Sequence, residues 1–196
     1  MKIKGLQAEF KALAFAAERP KGMLFVFASG EHIGNDCHAC APDIWAAHFV
    51  PDENGKWTAE HVSRVEERGG TFGKPWNAEI RDLGKKATGI ILSGSAMGQG
   101  HGMDGVWIYR PTGGAGFFEV LKLTTEYYPA CGEGEEMKNN CTREEKMTFK
   151  FLNSSHEGLF DVQADFRSEG LDTEGKVVKS SSREIYVFDG VQYKKK

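Results

Sequence analysis

"DIWAAHFVPDENGKWTAEHVSRV", residues 43 to 65, holds two apolar-rich runs on either side of a polar turn. Within that turn Asn54-Gly55 offers the positive φ angles that tight hairpin turns require, so the stretch predicts a β-hairpin with strands over 43–50 and 57–65. The same grammar repeats on both sides. "MLFVFAS" (23–29) reads as a buried strand, and further strands are expected at 77–83, 88–94, 104–110, 116–125, 146–152, 159–167 and 177–188. Glycine-rich segments separate them, chiefly "SAMGQGHGMDG", "RPTGGAG" and "RSEGLDTEGK", which are expected as hairpin loops. Short strands at regular spacing predict a mainly β fold, an antiparallel sheet arranged as a sandwich, barrel or curled sheet.

One segment departs from this pattern. Leu6, Phe10, Leu13, Ala14 and Ala17 fall at helical spacing, and Arg19-Pro20-Lys21-Gly22 closes the run, which predicts a single N-terminal helix over about 5–18. With no internal repeat or long linker, one β-rich domain over 1–196 is expected. Gly69-Gly70 is a weak boundary within it.

Composition narrows the partners. The 196 residues include 40% hydrophobic and 27% charged side chains with a formal net charge of −3, which gives nucleic acid or an anionic membrane no general electrostatic invitation. No run approaches the roughly 18–20 apolar residues of a spanning helix, so no membrane span is expected. Glu9, Lys11 and Glu18 interrupt the apolar start, so it does not read as a secretory leader. A mature chain whose leader had been removed would begin in the same way.

The four cysteines form two local pairs, Cys37 with Cys40 and Cys131 with Cys141. A bridge across "CGEGEEMKNNC" (131–141) would remove unfolded-state entropy worth on the order of 2.5 kcal/mol, and two such bridges would place maturation in an oxidising compartment, periplasmic or extracellular. "NDCHACAPDIW" (35–45) admits three chemistries. As a thiol–disulfide oxidoreductase site, Cys37 would attack and Cys40 would resolve, but that role wants a helix behind the motif and the next segment reads as a strand. As a zinc clamp, Cys37, His38 and Cys40 with His32 or His48 would need a second pair of ligands that the sequence lacks. As a structural bridge, the pair would stiffen a loop carrying Asp36 and His38, the candidate binding residues, and a stiff loop loses less entropy on docking.

Met97, His101 and Met103 make a soft-donor group suited to copper(I), placed by the sequence on a glycine-rich loop. No cofactor is required by any motif. "SGSAMG" lacks nucleophile-elbow spacing, and there is no P-loop or H-E-x-x-H. Asp161 and Asp165 alternate with Val162, Ala164 and Phe166, the pattern of an exposed strand face. Asn140-Cys141-Thr142 and Asn153-Ser154-Ser155 match the glycosylation sequon, meaningful only in a eukaryotic secretory host.

Cys37-His38-Ala39-Cys40-Ala41-Pro42, Trp57 after the "DENGK" turn, the Gly70-to-Trp76 stretch, the Cys131/Cys141 pair and "YVFDGVQY" (186–193) together resemble a group of secreted or periplasmic proteobacterial proteins. The likeness covers nearly all of the chain past residue 20 and implies export and paired cysteines, without an activity. A looser resemblance is to Ivy-type periplasmic lysozyme inhibitors, in which a bridged loop holding a histidine enters the target's active site. Cys37, His38 and Cys40 are the matching positions. Two residues separate the cysteines here and four do in that family, so the loop protrudes less. The expectation is an exported, non-enzymatic binding or inhibitory protein acting on an unknown protein or small ligand in the cell envelope, with inhibition of a cell-wall hydrolase as its most specific form. Thiol–disulfide exchange and copper or zinc binding are the alternatives.

Overall fold

A computed structural model describes residues 10–18, 22–29, 37, 40–66, 69–98, 100–112, 116–128 and 141–196. Among these the structure is mainly β, with no helix. The strands are β1 (Phe10–Glu18), β2 (Gly22–Ser29), β3 (Asp43–Pro51), β4 (Trp57–Glu66), β5 (Gly70–Thr71), β6 (Lys74–Pro75), β7 (Asn77–Gly84), β8 (Ala87–Gly98), β9 (His101–Pro111), β10 (Phe117–Tyr127), β11 (Cys141–His156), β12 (Leu159–Leu171), β13 (Val177–Phe188) and β14 (Tyr193–Lys195). They form antiparallel sheets in which neighbours in space are neighbours in sequence: β1-β2-β3-β4, β5-β6, β7-β8-β9-β10 and β11-β12-β13-β14.

The 43–65 hairpin forms as its sequence predicts, but with a different turn. Only Gly55 has positive φ, at 76°. Asp52 N–H donates to the Lys56 carbonyl at 2.8 Å and Gly55 N–H to the Asp52 carbonyl at 2.9 Å, so residues 53–55 make a three-residue loop ending in left-handed glycine, not a two-residue loop centred on Asn54-Gly55. The Asp52 carboxylate locks it by accepting the Asn54 and Lys56 N–H groups at 2.9 and 2.8 Å. The identical device closes β12–β13: Asp172 accepts from Glu174 and Lys176, both at 2.9 Å, and Gly175 has φ 77°. An Asp-x-x-Gly-Lys pattern thus specifies both turns, through the aspartate that replaces the missing ladder bonds and the glycine that tolerates positive φ.

The helix expected over 5–18 is not formed in its described part, where Phe10–Glu18 is strand β1. It pairs with β2 from Phe10↔Ser29 to Glu18↔Gly22, with a bulge between Ala12 and Ala14. The bulge shifts the side-chain alternation by one residue, so a strand acquires apolar spacing that mimics a helix. Alanine favours a helix by only tenths of a kcal/mol per residue, and backbone pairing with a buried strand outweighs that.

Packing divides the chain into two compact units, one comprising 1–82, 86–94 and 108–119, the other 83–85, 95–107 and 120–196. Gly69-Gly70 lies inside the first. In that unit one face of β2 and β3 is core: Leu24, Val26, Ala28, Ile44 and Ala46 are fully buried. Each large aliphatic side chain among them contributes about 1.5–3 kcal/mol by leaving water. On the opposite face Phe27 stacks between Phe25, at 5.4 Å, and its cross-strand partner Trp45, at 6.5 Å.

In the second unit Leu159, Val162 and Ala164 of β12 are buried with Phe188 and Tyr193. Tyr193 Oη donates to the Phe160 carbonyl at 2.7 Å, which pins β14 across the sheet. β14 pairs only with residues 186–188 of β13. The expected loop "SAMGQGHGMDG" is mostly strand, since β8 runs to Gly98 and β9 starts at His101.

Candidate functional site

The Sγ atoms of Cys37 and Cys40 are bonded, with Cα atoms 5.1 Å apart. A turn holds them together, Cys40 N–H donating to the Cys37 carbonyl at 3.0 Å. Cys37 is exposed and Cys40 buried. Ala41 and Pro42 lead directly into strand β3, so no helix N-terminus follows to lower a thiol pKa. His38, Asp36, His32 and Cys131 lie outside the described residues, and with Cys131 goes the expected Cys131–Cys141 bridge; of Cys141, only its place at the start of β11 is described.

What the structure adds is the neighbour of this bridge. Residues 70–75 fold into the small hairpin β5–β6, paired Gly70↔Pro75 and Thr71↔Lys74. Its two-residue turn, Phe72 (φ 49°) and Gly73 (φ 65°), has both positive angles that such a turn demands. Gly73 N–H donates to the Cys40 carbonyl at 2.6 Å, tying the turn to the bridged loop. At the base Trp76 N–H donates to the Gly69 carbonyl at 3.0 Å, and the buried Trp76 indole lies where a Cβ on Gly94 would be, 2.0 Å from Cδ1. Phe72 itself is 43% exposed. A bulky residue in the left-handed region costs about 1–2 kcal/mol, which asparagine or glycine would largely avoid.

The soft-donor residues do not sit on a mobile loop. Met97 is on β8 and exposed, whereas His101 and Met103 share one side of β9. The His101 ring stacks on Tyr128 at 4.6 Å, and its Nε2 lies 3.6 Å from Glu126 without a hydrogen bond. His48 bonds Glu60 through Nδ1 at 2.8 Å. Among the described residues no group of three or more His, Cys, Asp or Glu side chains is placed to hold a metal ion.

Two polar clusters escape the sequence. Asp161, expected on an exposed face, is buried at 3% exposure. It accepts a hydrogen bond from Ser154 Oγ and another from His156 Nδ1, each at 2.6 Å. Burial pushes the Asp161 carboxyl up, but these two bonds, with the His156 and Lys196 charges, hold it below its ordinary value. The ladder is irregular here: the β11–β12 register shifts between Phe151 and Ser155, the stretch that contains Ser154. Periodicity alone cannot foresee a bulge. Elsewhere the buried Tyr109 hydroxyl lies 3.1 Å from Glu66 and 3.5 Å from Glu119; burial and the two carboxylates push its pKa far above the ordinary tyrosine value.

Comparison with protein-family models, with curated proteins and with solved structures finds no match for this chain. No helix among the described residues is long and apolar enough to cross a membrane.

Proposed function

We propose that the chain is an exported, non-enzymatic binding or inhibitory protein whose recognition tip joins the Cys37–Cys40 loop, carrying His38, to the Phe72 turn. The observation that carries this reading is the bond from Gly73 N–H to the Cys40 carbonyl. A covalently closed loop and an exposed aromatic are held together before any ligand arrives, so little entropy remains to be lost on docking. Aromatic anchors held rigid in this way dominate binding energy at interfaces. A cell-wall hydrolase of the cell envelope, whose cleft would receive the bridged loop and Phe72, is the most specific such partner.

The rival reading, thiol–disulfide exchange with Cys37 attacking and Cys40 resolving, draws on the exposure of one sulfur-bearing residue and the burial of the other. It lacks the helix that would stabilise a thiolate.

Muramidase assays on cell-wall suspensions, run with the intact chain, Phe72→Gly and His38→Ala, test the proposal. Phe72→Gly relieves the left-handed strain, so its thermal stability is expected to be equal or higher while inhibition falls at least tenfold. Equal inhibition by all three proteins, or insulin reduction that disappears in Cys37→Ser, refutes the binding reading.

A further inference from the structure

One face of the β11–β12–β13 sheet is a lattice of charge. Residues 144, 146, 148 and 150 of β11 share it with 163, 165, 167 and 169 of β12 and with 179, 181 and 183 of β13, as the ladder register requires. Three of its five cations are neutralised locally. Lys146 pairs with Glu144 at 2.5 Å, Lys179 with Glu169 at 2.8 Å, and Arg183 with Asp165 at 2.6 Å.

Arg167, like Lys150 at the margin, is an exception. It stands on the central strand among these pairs, exposed, and makes no side-chain hydrogen bond or ion pair among the described residues. Its cross-strand partner on β13 is Ser181, whose hydroxyl also has none. Both line a groove of about 420 Å³ that runs between Lys146 and Lys179. They also line an adjoining one of about 410 Å³ bounded by Thr148 and Arg183. A guanidinium left uncommitted beside three satisfied ion pairs, with a hydroxyl opposite, is an arrangement that presents a planar fork of donors to a ligand oxygen pair. With Lys150 at the margin, whose charge also acts on Asp165, five cations face three carboxylates, so the patch is locally positive although the chain as a whole carries −3.

We propose that this face binds a tetrahedral oxyanion, a phosphate or sulfate group presented by a larger ligand, with Arg167 bidentate to two of its oxygens and Ser181 donating to a third. Lys146 and Lys179 keep their own carboxylates, so the contacts to the anion come from Arg167 and Ser181. The site belongs to the second unit and is independent of the Cys37–Phe72 tip.

Isothermal titration of the full chain with inorganic pyrophosphate, and separately with sulfate, at constant ionic strength tests it. Saturable binding is expected, weakened at least tenfold by Arg167→Gln and partly restored by Arg167→Lys. Lys150→Gln removes the same charge from the face and is expected to weaken binding less than twofold. Circular dichroism melts of the variants should match the parent, because Arg167 is exposed. Pyrophosphate binding without sulfate binding would assign the group to phosphate esters, the reverse to sulfate esters. Failure to saturate with either ion, or equal weakening by Arg167→Gln and Lys150→Gln, overturns the proposal in favour of diffuse charge attraction.

Discussion

Replacing Asp161 by alanine removes a buried carboxylate that accepts two short hydrogen bonds, from Ser154 and His156. Bonds to an ionised group contribute about 1.5–3 kcal/mol each. Ser154 and His156 are both exposed enough to rehydrate, so the lower end applies and the expected loss is about 3 kcal/mol at pH 7. For a chain of this size that lowers the melting temperature by about 6–12 °C. The pH dependence has a definite sign. The folded carboxyl sits below its ordinary value, so its contribution is complete above the unfolded pKa of about 3.9 and fades as pH falls through that value towards the folded one. Urea unfolding of Asp161→Ala and the parent, followed by tryptophan fluorescence, should therefore differ by about 3 kcal/mol at pH 7, with the gap narrowing as pH falls below about 4. Ser154→Ala combined with His156→Ala should remove the same pH-dependent part. A gap that stays constant with pH, or widens in acid, refutes the assignment of a depressed, hydrogen-bonded carboxylate.

Two further outcomes follow from the backbone. Gly94→Ala places a methyl group 2.0 Å from the Trp76 ring and should cost about 1–3 kcal/mol in denaturant titrations, with a red shift in tryptophan emission as the indole is displaced. Gly55→Ala and Gly175→Ala each force a side chain into φ near +77°. Each should cost about 1 kcal/mol, and because one lies in each unit the double variant should lose the sum.

Strand existence was legible because the deciding signal is local. Residues 177–188 are bracketed by the turn residues Asp172–Gly175 and Asp189-Gly190, and β13 occupies that span. The Asp-x-x-Gly-Lys turns were legible for the same reason, although reading Asn54 as a second positive-φ residue missed the locking role of Asp52. What failed was non-local. Strand β1 exposed its nature only through pairing with β2, and the buried Asp161 with Ser154 and His156 goes with an irregular β11–β12 pairing that no motif announces. The candidate tip was half legible. Cys37 and Cys40 announced themselves by spacing, whereas Phe72 sits 32 residues further along than Cys40 and joins them only through a backbone bond that no residue type encodes.

The sequential order of strands in every sheet bears on how this molecule assembles. Each strand seeks the segment just before or after it, so the chain searches over short loops, and individual hairpins of this kind zip in about 1–10 μs. Refolding from denaturant should therefore begin at the two aspartate-locked turns, whose contacts are the most local, before the longer-range pairings close.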